Sequence, residues 1–383
     1  MRFLALAALA AVASGALAQP SVQVTVTNLT ADARSDEVAE VDWARLGAAL
    51  PGLRPDAVRA VSASGAEVPS QVLDLDADGT PESLLILVSL WPNEAKTVQV
   101  EAAAPAEPYA ARVHAMHDDY RDDMAWESDR VAWRTYGKGL WEADEFEPLV
   151  SSGIDVWLKR THDLITERWY GLGHDAYHVD RGEGADFYSV GTTLGAGGAG
   201  VWRGGQLFRP ENFDDWRILA DGPIRAVFEM DYSPFDAGGT AVSVTKRVTI
   251  DAGRHLFRQE DTFSAAVPAV VGLVDRPEGV VSMIRDGADW TWLAMWGPVE
   301  RKNGGHGDLG TAVIVPSASL DGVERAGRHL MARVPAAPGE PVVSYAGAGW
   351  TASGDVDSVE AWWAILDAEV ARLSAPVVVT VGE

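Results

Sequence analysis

The sequence predicts an all-β protein, with a small N-terminal β segment, a larger β-sandwich and few short helices. Runs of alternating, often β-branched residues recur along the chain, as in residues 21–27, 241–250 and 376–381. Such alternation places successive side chains on opposite faces of a strand. Helical periodicity is scarce, and the many tryptophans spread among the later strands favour a large two-sheet sandwich.

The first 18 residues have the pattern of a cleaved secretory signal. Arg2 supplies the positive end, residues 3–12 form an apolar run, and Ala-Leu-Ala at 16–18 is a small-x-small cleavage site before Gln19. The apolar run is shorter than the roughly 20 residues needed to span a bilayer. We therefore expect an exported protein, periplasmic or secreted, without insertion into a membrane.

A stretch rich in alanine and proline marks the first domain boundary. Residues 102–108 contain no core residues and interrupt the strand pattern. We predict an N-terminal β segment over residues 19–105 and a larger domain carrying the site over residues 106–383.

Two helical segments stand out against the strand pattern. Residues 359–373 place apolar side chains at roughly helical spacing, and Asp357 or Ser358 is suited to cap the start. A shorter helical turn is expected between Asp42 and Leu50.

Composition excludes several classes of chemistry. The chain has 383 residues and no cysteine, so it has no disulfide, no thiolate nucleophile and no cysteine-ligated metal. A net charge of −25 argues against nucleic acid, because a phosphate-binding face needs a dense basic patch. An anionic ligand would have to be held by a few arginines placed locally against this charge.

Three familiar motifs are absent or incomplete. Residues 191–200 resemble a nucleotide loop but lack its lysine and a following helix, which favours tight turns and close strand packing. Residues 74–79 resemble a calcium loop, yet the twelfth-position glutamate and flanking helices are missing, so an ordinary turn is favoured. The sequence contains no Gly-x-Ser-x-Gly elbow of a serine hydrolase.

The segment from 117 to 137 is dense in charged and aromatic residues. Arg130 and Arg134 share one face if these residues form a strand. Paired guanidinium donors suit a carboxylate ligand. An internal salt-bridge network with Glu127 and Asp129 accounts for the same residues equally well.

The strongest candidate site lies between residues 169 and 188. Glycines at 171, 173, 182 and 184 indicate a loop able to approach a ligand closely, and they make a helix doubtful. The candidate catalytic residues are His174, His178, Tyr177 and Tyr188, since histidine titrates near neutrality and a tyrosine beside arginine or histidine can transfer a proton. These side chains could also simply bond to one another.

A divalent metal is an alternative use of His174 and His178. A third ligand would be needed, for which Asp175, Asp180 and Glu183 are available. Without a metal, no cofactor is expected.

Sugar binding is the ligand class that these residues favour. Proton abstraction next to a uronate carboxylate requires an arginine to neutralise that carboxylate. Some of the 15 tryptophans are expected to stack on sugar C–H faces. The candidate substrate-binding residues are Arg130, Arg134, Arg181, Trp126, Asp180, Glu183 and His306. His306 belongs to a polar loop, residues 301–308, that could close over the site or form a surface turn.

Several segments carry a family resemblance. Residues 222–229 and 244–254 resemble the central strands of galactose-mutarotase-like supersandwiches. Together, residues 122–137, 153–157, 177–188 and 345–350 resemble a family of secreted bacterial proteins labelled as a domain of unknown function and found in polysaccharide-degradation gene clusters. That family is similar to the oligosaccharide dehydratases of ulvan breakdown. The resemblance implies a β-supersandwich and a lyase or hydro-lyase acting on carbohydrate.

Three hypotheses follow for function. The first is β-elimination on uronic-acid-containing oligosaccharides. The second is glycoside hydrolysis by two carboxylates among Asp180, Glu183 and Asp186. The third is oligosaccharide binding without turnover. The oligomeric state is left open.

Overall fold

The computed structural model describes residues 19–139, 149–276, 280–299 and 305–382. The predicted signal peptide, residues 1–18, lies outside these ranges, as do residues 301–304 of the polar loop. In chain order the strands are β1 (Ser21–Thr27), β2 (Arg34–Asp42), β3 (Arg59–Ser62), β4 (Glu67–Val68), β5 (Ser70–Leu73), β6 (Ser83–Leu90), β7 (Ala95–Glu101), β8 (Val113–Asp118), β9 (Asp123–Ser128), β10 (Ala132–Tyr136), β11 (Asp155–Lys159), β12 (Gly184–Ala185), β13 (Ala196–Arg203), β14 (Gln206–Phe208), β15 (Asp215–Ala220), β16 (Arg225–Asp236), β17 (Ala241–Asp251), β18 (Leu256–Phe263), β19 (Ala269–Val274), β20 (Val281–Arg285), β21 (Trp290–Pro298), β22 (Asp308–Pro316), β23 (Gly322–Ala326), β24 (His329–Arg333), β25 (Pro341–Trp350) and β26 (Val378–Val381).

Helices are few and short. Those that lie wholly within the described ranges are α1 (Trp43–Ala49), α2 (Thr166–Leu172), α3 (His174–Tyr177) and α4 (Val359–Ser374). The two helices expected from the sequence are confirmed. The Asp42 carboxylate accepts the amide of Arg45 at the start of α1, and the Ser358 hydroxyl accepts the amide of Ala361 at the start of α4.

The N-terminal part contains two antiparallel sheets around a core of their own. One sheet has the order β26-β1-β7-β3-β4, and the other has the order β2-β6-β5. Strand β6 is buried on both faces, with Leu84 and Ile86 in this core and Leu85 and Leu87 in the main core. This double burial explains its continuous apolar sequence. The last strand, β26, pairs with β1 and so returns the chain to the N-terminal sheet.

The main sandwich encloses the largest core. A sheet of order β12-β11-β10-β9-β8 faces a sheet of order β15-β16-β17-β18-β25-β22-β21-β20, and a third sheet has the order β14-β13-β19-β24-β23. Trp126 and Trp133 from the first sheet meet Phe257 from the second, with ring centroids 5.2 and 5.1 Å apart. The all-β sandwich prediction is confirmed.

The glycine-rich segment of residues 191–200 packs closely against neighbouring strands. Gly195 has a φ of 65°, and a Cβ placed there would lie 2.1 Å from the carbonyl oxygen of Ile154. A Cβ at Gly197 would lie 2.3 Å from the Cβ of Ala346. The predicted tight turns and close packing are therefore confirmed.

The outer faces of the two main sheets are covered differently. Helices α2 and α3 pack against Ala132 and Trp157 of the first sheet, and α4 packs against Trp292 and Ile314 of the eight-stranded sheet. Among the helices in the described ranges, none combines the length and the apolar character needed to cross a membrane.

Candidate active site

The sheet of strands β8 to β12 has one apolar and one polar face. Trp126, Trp133 and Val156 point into the main core. Side chains alternate between the two faces of a strand, so the residues that lie between these core residues point to the outer face. Arg134 is one of them, and it shares this face with its strand partners Asp155 and Ala125. This outer surface is called the polar face, and its charged and aromatic members are Asp123, Glu127, Arg134, Tyr136, Asp155, Trp157 and Lys159.

Arg134 is the centre of a buried ionic network on the polar face. Its Nε donates to Asp155 Oδ2 at 2.9 Å and its Nη2 donates to Asp186 Oδ2 at 2.7 Å. Its Nη1 donates to the Tyr177 hydroxyl at 3.0 Å and lies 3.5 Å from Asp123 Oδ2. These partners occupy Arg134, so the expectation that it grips a substrate carboxylate is wrong. Arg134 does belong to an internal salt-bridge network, but its partners are Asp123, Asp155 and Asp186 and not the expected Glu127 and Asp129.

The network has three carboxylates for this one guanidinium. Burial raises the pKa of Asp123 to about 6 despite the nearby arginine. Burial also raises the pKa of Asp186 well above its usual value, and the adjacent charge of Asp155 acts in the same direction. The hydroxyls of Tyr136 and Tyr170 donate to Asp155 and Asp123, each at 2.9 Å. Hydrogen bonds from two tyrosine hydroxyls, as well as from the charged guanidinium, therefore hold the carboxylates in the network.

Glu127 fastens helix α2 to the polar face. Its Oε1 accepts the backbone amides of Ile165 and Thr166 at 2.7 and 2.8 Å, and the Thr166 hydroxyl at 2.7 Å. Its Oε2 accepts from Lys159 Nζ at 2.7 Å, with both side chains fully buried. The first amides of a helix have no intrahelical acceptor. Ile165, at the N-cap of α2, has an apolar side chain that cannot accept them. Glu127 supplies that cap and so positions the segment that follows.

Two histidines lie one helical turn apart after α2. The sequence argued against a helix here, but α3 forms a single turn, and Gly173 precedes it with a φ of 87°. His174 and His178 therefore point to the same side, with their Nε2 atoms 3.4 Å apart. Their side chains are 50% and 40% exposed, so a ligand can reach both.

The hydrogen-bond partners define how this histidine pair can hold protons. Nδ1 of His178 lies 3.1 Å from the carbonyl oxygen of Asp186. A carbonyl oxygen only accepts, so this assignment places a hydrogen on Nδ1. The contact between the two Nε2 atoms is a hydrogen bond only when one of them carries a proton. The geometry therefore suits a pair that shares one proton.

His174 is the stronger candidate for the base of the pair. Burial, together with the positive charge of Arg121, lowers the pKa of His174 below its usual value. The guanidinium of Arg121 lies 5.6 Å from the centre of the Tyr177 ring. A neutral imidazole offers a lone pair to an incoming proton at neutral pH.

Tyr177 and Tyr188 are buried, in contrast to their expected role as acid or base. Tyr177 is 2% exposed. Burial raises its pKa even though Arg134 opposes the shift, and a raised pKa makes proton transfer by this tyrosine harder. Its ring contacts those of His174 and His178 at centroid distances of 5.4 and 4.8 Å. Tyr188 is 5% exposed and belongs to the main core. The buried ring of Tyr177 therefore packs against both histidine rings and holds them in position.

The loop after α3 holds the remaining predicted residues. Asp180 accepts from Arg160 Nε at 2.7 Å and from two glycine amides of the same loop at 2.8 and 3.1 Å. Glu183 accepts from Arg168 at 2.8 Å. Both carboxylates thus serve the loop itself. Arg181 is exposed.

Arg130 belongs to a second cluster, centred on Asp355. Its Nη1 donates to both Asp355 oxygens at 3.1 Å and lies 3.0 Å from His162 Nε2. His255 Nε2 lies 3.8 Å from the same carboxylate, and burial lowers the pKa of His255 to about 4. A cavity of about 10 Å³, room for about one water molecule, lies between Arg130, Lys159 and His255.

Trp126 does not reach the surface. Its side chain is 0% exposed and packs against Phe228 and Phe257. This burial excludes contact with a ligand, so the expectation that Trp126 binds sugar is wrong. Core packing accounts for this tryptophan, as it does for most.

His306 is part of an aromatic patch beside the histidine pair. Its ring stacks on that of Phe187 with centroids 3.7 Å apart. The centroid of the Phe187 ring lies 5.9 Å from that of Trp350. Arg160 lies 4.6 Å from the centre of Trp350. The aromatic patch is defined by Phe187, His306 and Trp350, and it continues from Asp186, the partner of His178.

Several residues of the site were not predicted from the sequence. Asp155 had a usable signal, because it stands between Ile154 and Val156 in an apolar strand, where an isolated carboxylate is unusual. Tyr170 and Asp355 had none, since their partners come from distant parts of the chain.

The 3.4 Å separation of the histidine Nε2 atoms also has the spacing of two metal ligands. Nitrogens at about 2.0–2.1 Å from a tetrahedral zinc ion lie about 3.4 Å apart. Within the described ranges, a group of three acidic or histidine ligands occurs instead at Asp74, Asp76 and Asp78. Those carboxylates accept amides of their own loop at 2.7 to 3.2 Å, as in the predicted turn.

Residues 26–379 match the family described as "Domain of unknown function (DUF4861)". The chain belongs to this family. The match confirms the resemblance to a family labelled as a domain of unknown function. One relative of this DUF4861 protein is "Uncharacterized protein P7" of Formosa agariphila, which is 29% identical over 336 residues, or 83% of each chain.

Solved structures similar to the DUF4861 protein share its fold. A protein of glycosyl hydrolase family 38 from Enterococcus faecalis has a TM-score of 0.52 and 10% identity, over 95% of this chain and 48% of the other. An α-mannosidase from Enterococcus faecalis V583 has a TM-score of 0.51 and 10% identity, over 96% and 46%. This chain thus spans about half the length of each, and at this identity the likeness concerns the fold alone.

Proposed function

We propose that this protein is an exported carbohydrate-active enzyme that acts on uronic-acid-containing oligosaccharides by β-elimination. The observation that carries the proposal is the 3.4 Å contact between Nε2 of His174 and Nε2 of His178 on an exposed turn. The fold shared with glycosyl hydrolase family 38 proteins supports a carbohydrate as the substrate class. Resemblance to the ulvan oligosaccharide dehydratases supports loss of water as the form of elimination.

The histidine pair supplies the base and the acid that elimination needs. Neutral His174 removes the proton from the carbon that bears the carboxylate, and the C–H electron pair becomes the new C=C bond. The C–O bond at the β carbon breaks with its electrons on oxygen. His178, protonated at Nε2, donates that proton to the leaving oxygen, which departs as water or as a sugar hydroxyl. The pair ends with the same number of protons as it began.

The substrate carboxylate must be neutralised before the neighbouring C–H becomes acidic. Arg134 is occupied, and Arg130 binds Asp355 in the second cluster. Arg181 is exposed in the loop after α3, and we assign it to the carboxylate. Within the aromatic patch, Phe187 and His306 are partly exposed and offer a ring face on which an adjacent sugar unit can stack.

Hydrolysis by two carboxylates receives less support from the geometry. Asp180 and Glu183 are engaged with Arg160 and Arg168, and Asp186 is 4% exposed. A general acid and a nucleophile or base must both reach the glycosidic bond. Hydrolysis, and binding without turnover, are therefore treated as outcomes of the experiment.

A divalent metal held by His174 and His178 is a second candidate, favoured by the spacing of their Nε2 atoms. Bound there, a metal would supply Lewis-acid polarisation of a substrate oxygen. Nδ1–H of His178 is bonded to the Asp186 carbonyl oxygen. Such a second hydrogen bond orients a histidine that binds a metal through its other nitrogen.

The experiment is mass spectrometry of uronic-acid oligosaccharides, including unsaturated disaccharides, after incubation with the protein, with and without a chelator. A product lighter by one water, or a fragment with an unsaturated end, supports elimination, and its loss on chelation supports the metal. A product that has gained water would establish hydrolysis instead. No change across the panel, with binding retained, would establish a binding protein.

A further inference from the structure

A second cleft lies on the opposite side of the sandwich from the histidine pair. It has a volume of about 350 Å³, within the size range of small-molecule sites. Its walls come from strands β16, β17, β18, β21 and β25 of the eight-stranded sheet, from helix α4 and from β2. Arg258 and its strand partner Tyr345 lie on the outer face of that sheet, whereas their neighbour Phe257 points into the main core.

One wall of the cleft carries arginines that share a smaller number of glutamates. The guanidinium groups of Arg34, Arg254 and Arg372 share the carboxylates of Glu37 and Glu369. Burial and the neighbouring Arg254 lower the pKa of Arg372, as expected for a cation without a full counter-charge. Burial opposes but does not outweigh the charges of Glu369, Glu37 and Asp251, which raise the pKa of Arg254, so Arg372 is the less well compensated of the two.

The contacts of these arginines are long. The Arg372 Nε lies 3.2 Å and its Nη1 3.4 Å from carboxylate oxygens, and Arg254 lies 3.3 and 3.8 Å from its two partners. Charge-assisted hydrogen bonds between such groups are typically about 2.7–2.9 Å. By contrast, Arg225 binds Asp251 with two bonds of 2.6 and 2.9 Å. Arg372 Nη2 also donates to the Ser35 carbonyl oxygen, at 3.2 Å. Arg254 and Arg372 therefore hold their partners by long contacts and can turn to a further anion more readily than Arg225 can.

The opposite wall is aromatic and apolar. The rings of Trp290 and Tyr345 lie edge to face with centroids 5.6 Å apart, and both side chains are partly exposed. Leu256 lies beside them. Flat, half-exposed aromatic faces next to a cation suit a ligand that has C–H faces and one negative group.

We propose that this cleft binds an anionic saccharide unit, with its carboxylate or sulfate on Arg372 and Arg254 and its ring against Trp290. The cleft lies on the other outer face from α3, so its occupation does not require the proposed elimination. It gives the protein a second point of attachment on an acidic polysaccharide fragment.

The test is calorimetric titration of the protein with glucuronate, glucose 6-sulfate and neutral glucose. Binding of glucuronate or of glucose 6-sulfate is expected, and the preferred one identifies the anionic group. We expect Arg372→Gln and Trp290→Ala each to weaken this binding at least tenfold. Raised salt should weaken it as well, because the contact is ionic.

Two controls separate this cleft from the histidine pair. Arg325→Gln removes an exposed arginine that pairs with Asp275, and it should leave binding unchanged. His174→Ala should also leave it unchanged. If Arg372→Gln does not fold, as judged by circular dichroism, Trp290→Ala decides the question.

Three results would overturn the proposal. They are the absence of binding to both anionic sugars, equal binding of neutral glucose, and binding that is lost in His174→Ala but kept in Arg372→Gln and Trp290→Ala. The last result would place the sugar at the histidine pair. Failure of the elimination assay alone would leave the cleft unaffected.

Discussion

Nδ1 of His178 lies 3.1 Å from the carbonyl oxygen of Asp186, and the carboxylate of the same Asp186 accepts from Arg134 at 2.7 Å. A single residue thus joins the exposed histidine pair to the buried network of the polar face. Its carbonyl fixes the tautomer and orientation of His178, and its side chain is held by Arg134. The surface turn is consequently ordered from below, which is a requirement for an acid and a base that act together.

Replacing either histidine should remove activity while leaving the fold intact. His174→Ala and His178→Ala are each expected to lower kcat by about 10²- to 10⁴-fold, because each removes one proton-transfer group. Thermal unfolding should change little, since both side chains are about half exposed. Arg325→Gln is the control and should retain full activity. Wild-type turnover in the double variant would contradict the assignment.

Arg134 should be far more important for stability than a surface arginine with similar contacts. Arg134→Met leaves three carboxylates buried without their cation, and removal of one partner of a buried pair costs about 3–5 kcal/mol. Arg325 binds Asp275 with two hydrogen bonds but is 54% exposed, so Arg325→Met should cost about 0–1 kcal/mol. Urea unfolding of both variants measures the difference. A cost for Arg134→Met as small as that for Arg325→Met, about 0–1 kcal/mol, would show that the buried network adds no stability.

Asp123 should make the protein less stable as the pH rises. Burial raises its pKa from 3.8 to about 6 in the folded state, so the folded protein binds more protons than the unfolded chain within this window. Its contribution is fully present below pH 3.8 and is lost as the pH rises through 6. Asp123→Asn should flatten the measured free energy of unfolding between these values. An unchanged pH profile in the variant would contradict the burial argument.

Two loop glycines should respond differently to alanine. Gly184 has a φ of 104°, and a Cβ there would lie 1.8 Å from the Leu158 carbonyl oxygen. Gly182 has a φ of 101° with nothing within 4 Å of its Cβ position. Gly182→Ala should cost about 1–3 kcal/mol from backbone strain alone, and Gly184→Ala more than about 3 kcal/mol. Chemical denaturation of the matched pair tests this, and similar costs would argue against close approach of the loop to β11.

The sequence was informative where the signal is local. Ser358 caps α4 as expected, and α1 forms where a helical turn was expected, with Asp42 as its cap. A capping side chain and the amide it accepts lie three residues apart, so the signal is local. It was misleading at α3, where several glycines argued against a helix. One turn is short enough for Gly173 to precede it at no cost, and that turn brings His174 and His178 together.

The partners of Arg134 show what local signals cannot provide. Asp123, Asp155 and Asp186 lie 11, 21 and 52 positions away in the sequence, on two other strands and in a loop. Their convergence depends on strand register, since one residue of slip moves a side chain to the other face. The same register buries Trp126, which the sequence alone placed among the sugar-binding candidates.

By itself, the sequence determined the all-β class, the capped helices and the segment in which the histidine pair lies, because alternation and capping act over a few residues. Only the tertiary structure decided which charged groups pair with one another and which remain accessible to a ligand. That distinction depends on burial and on contacts between distant strands, where the desolvation of a charge must be offset by partners that local sequence does not specify.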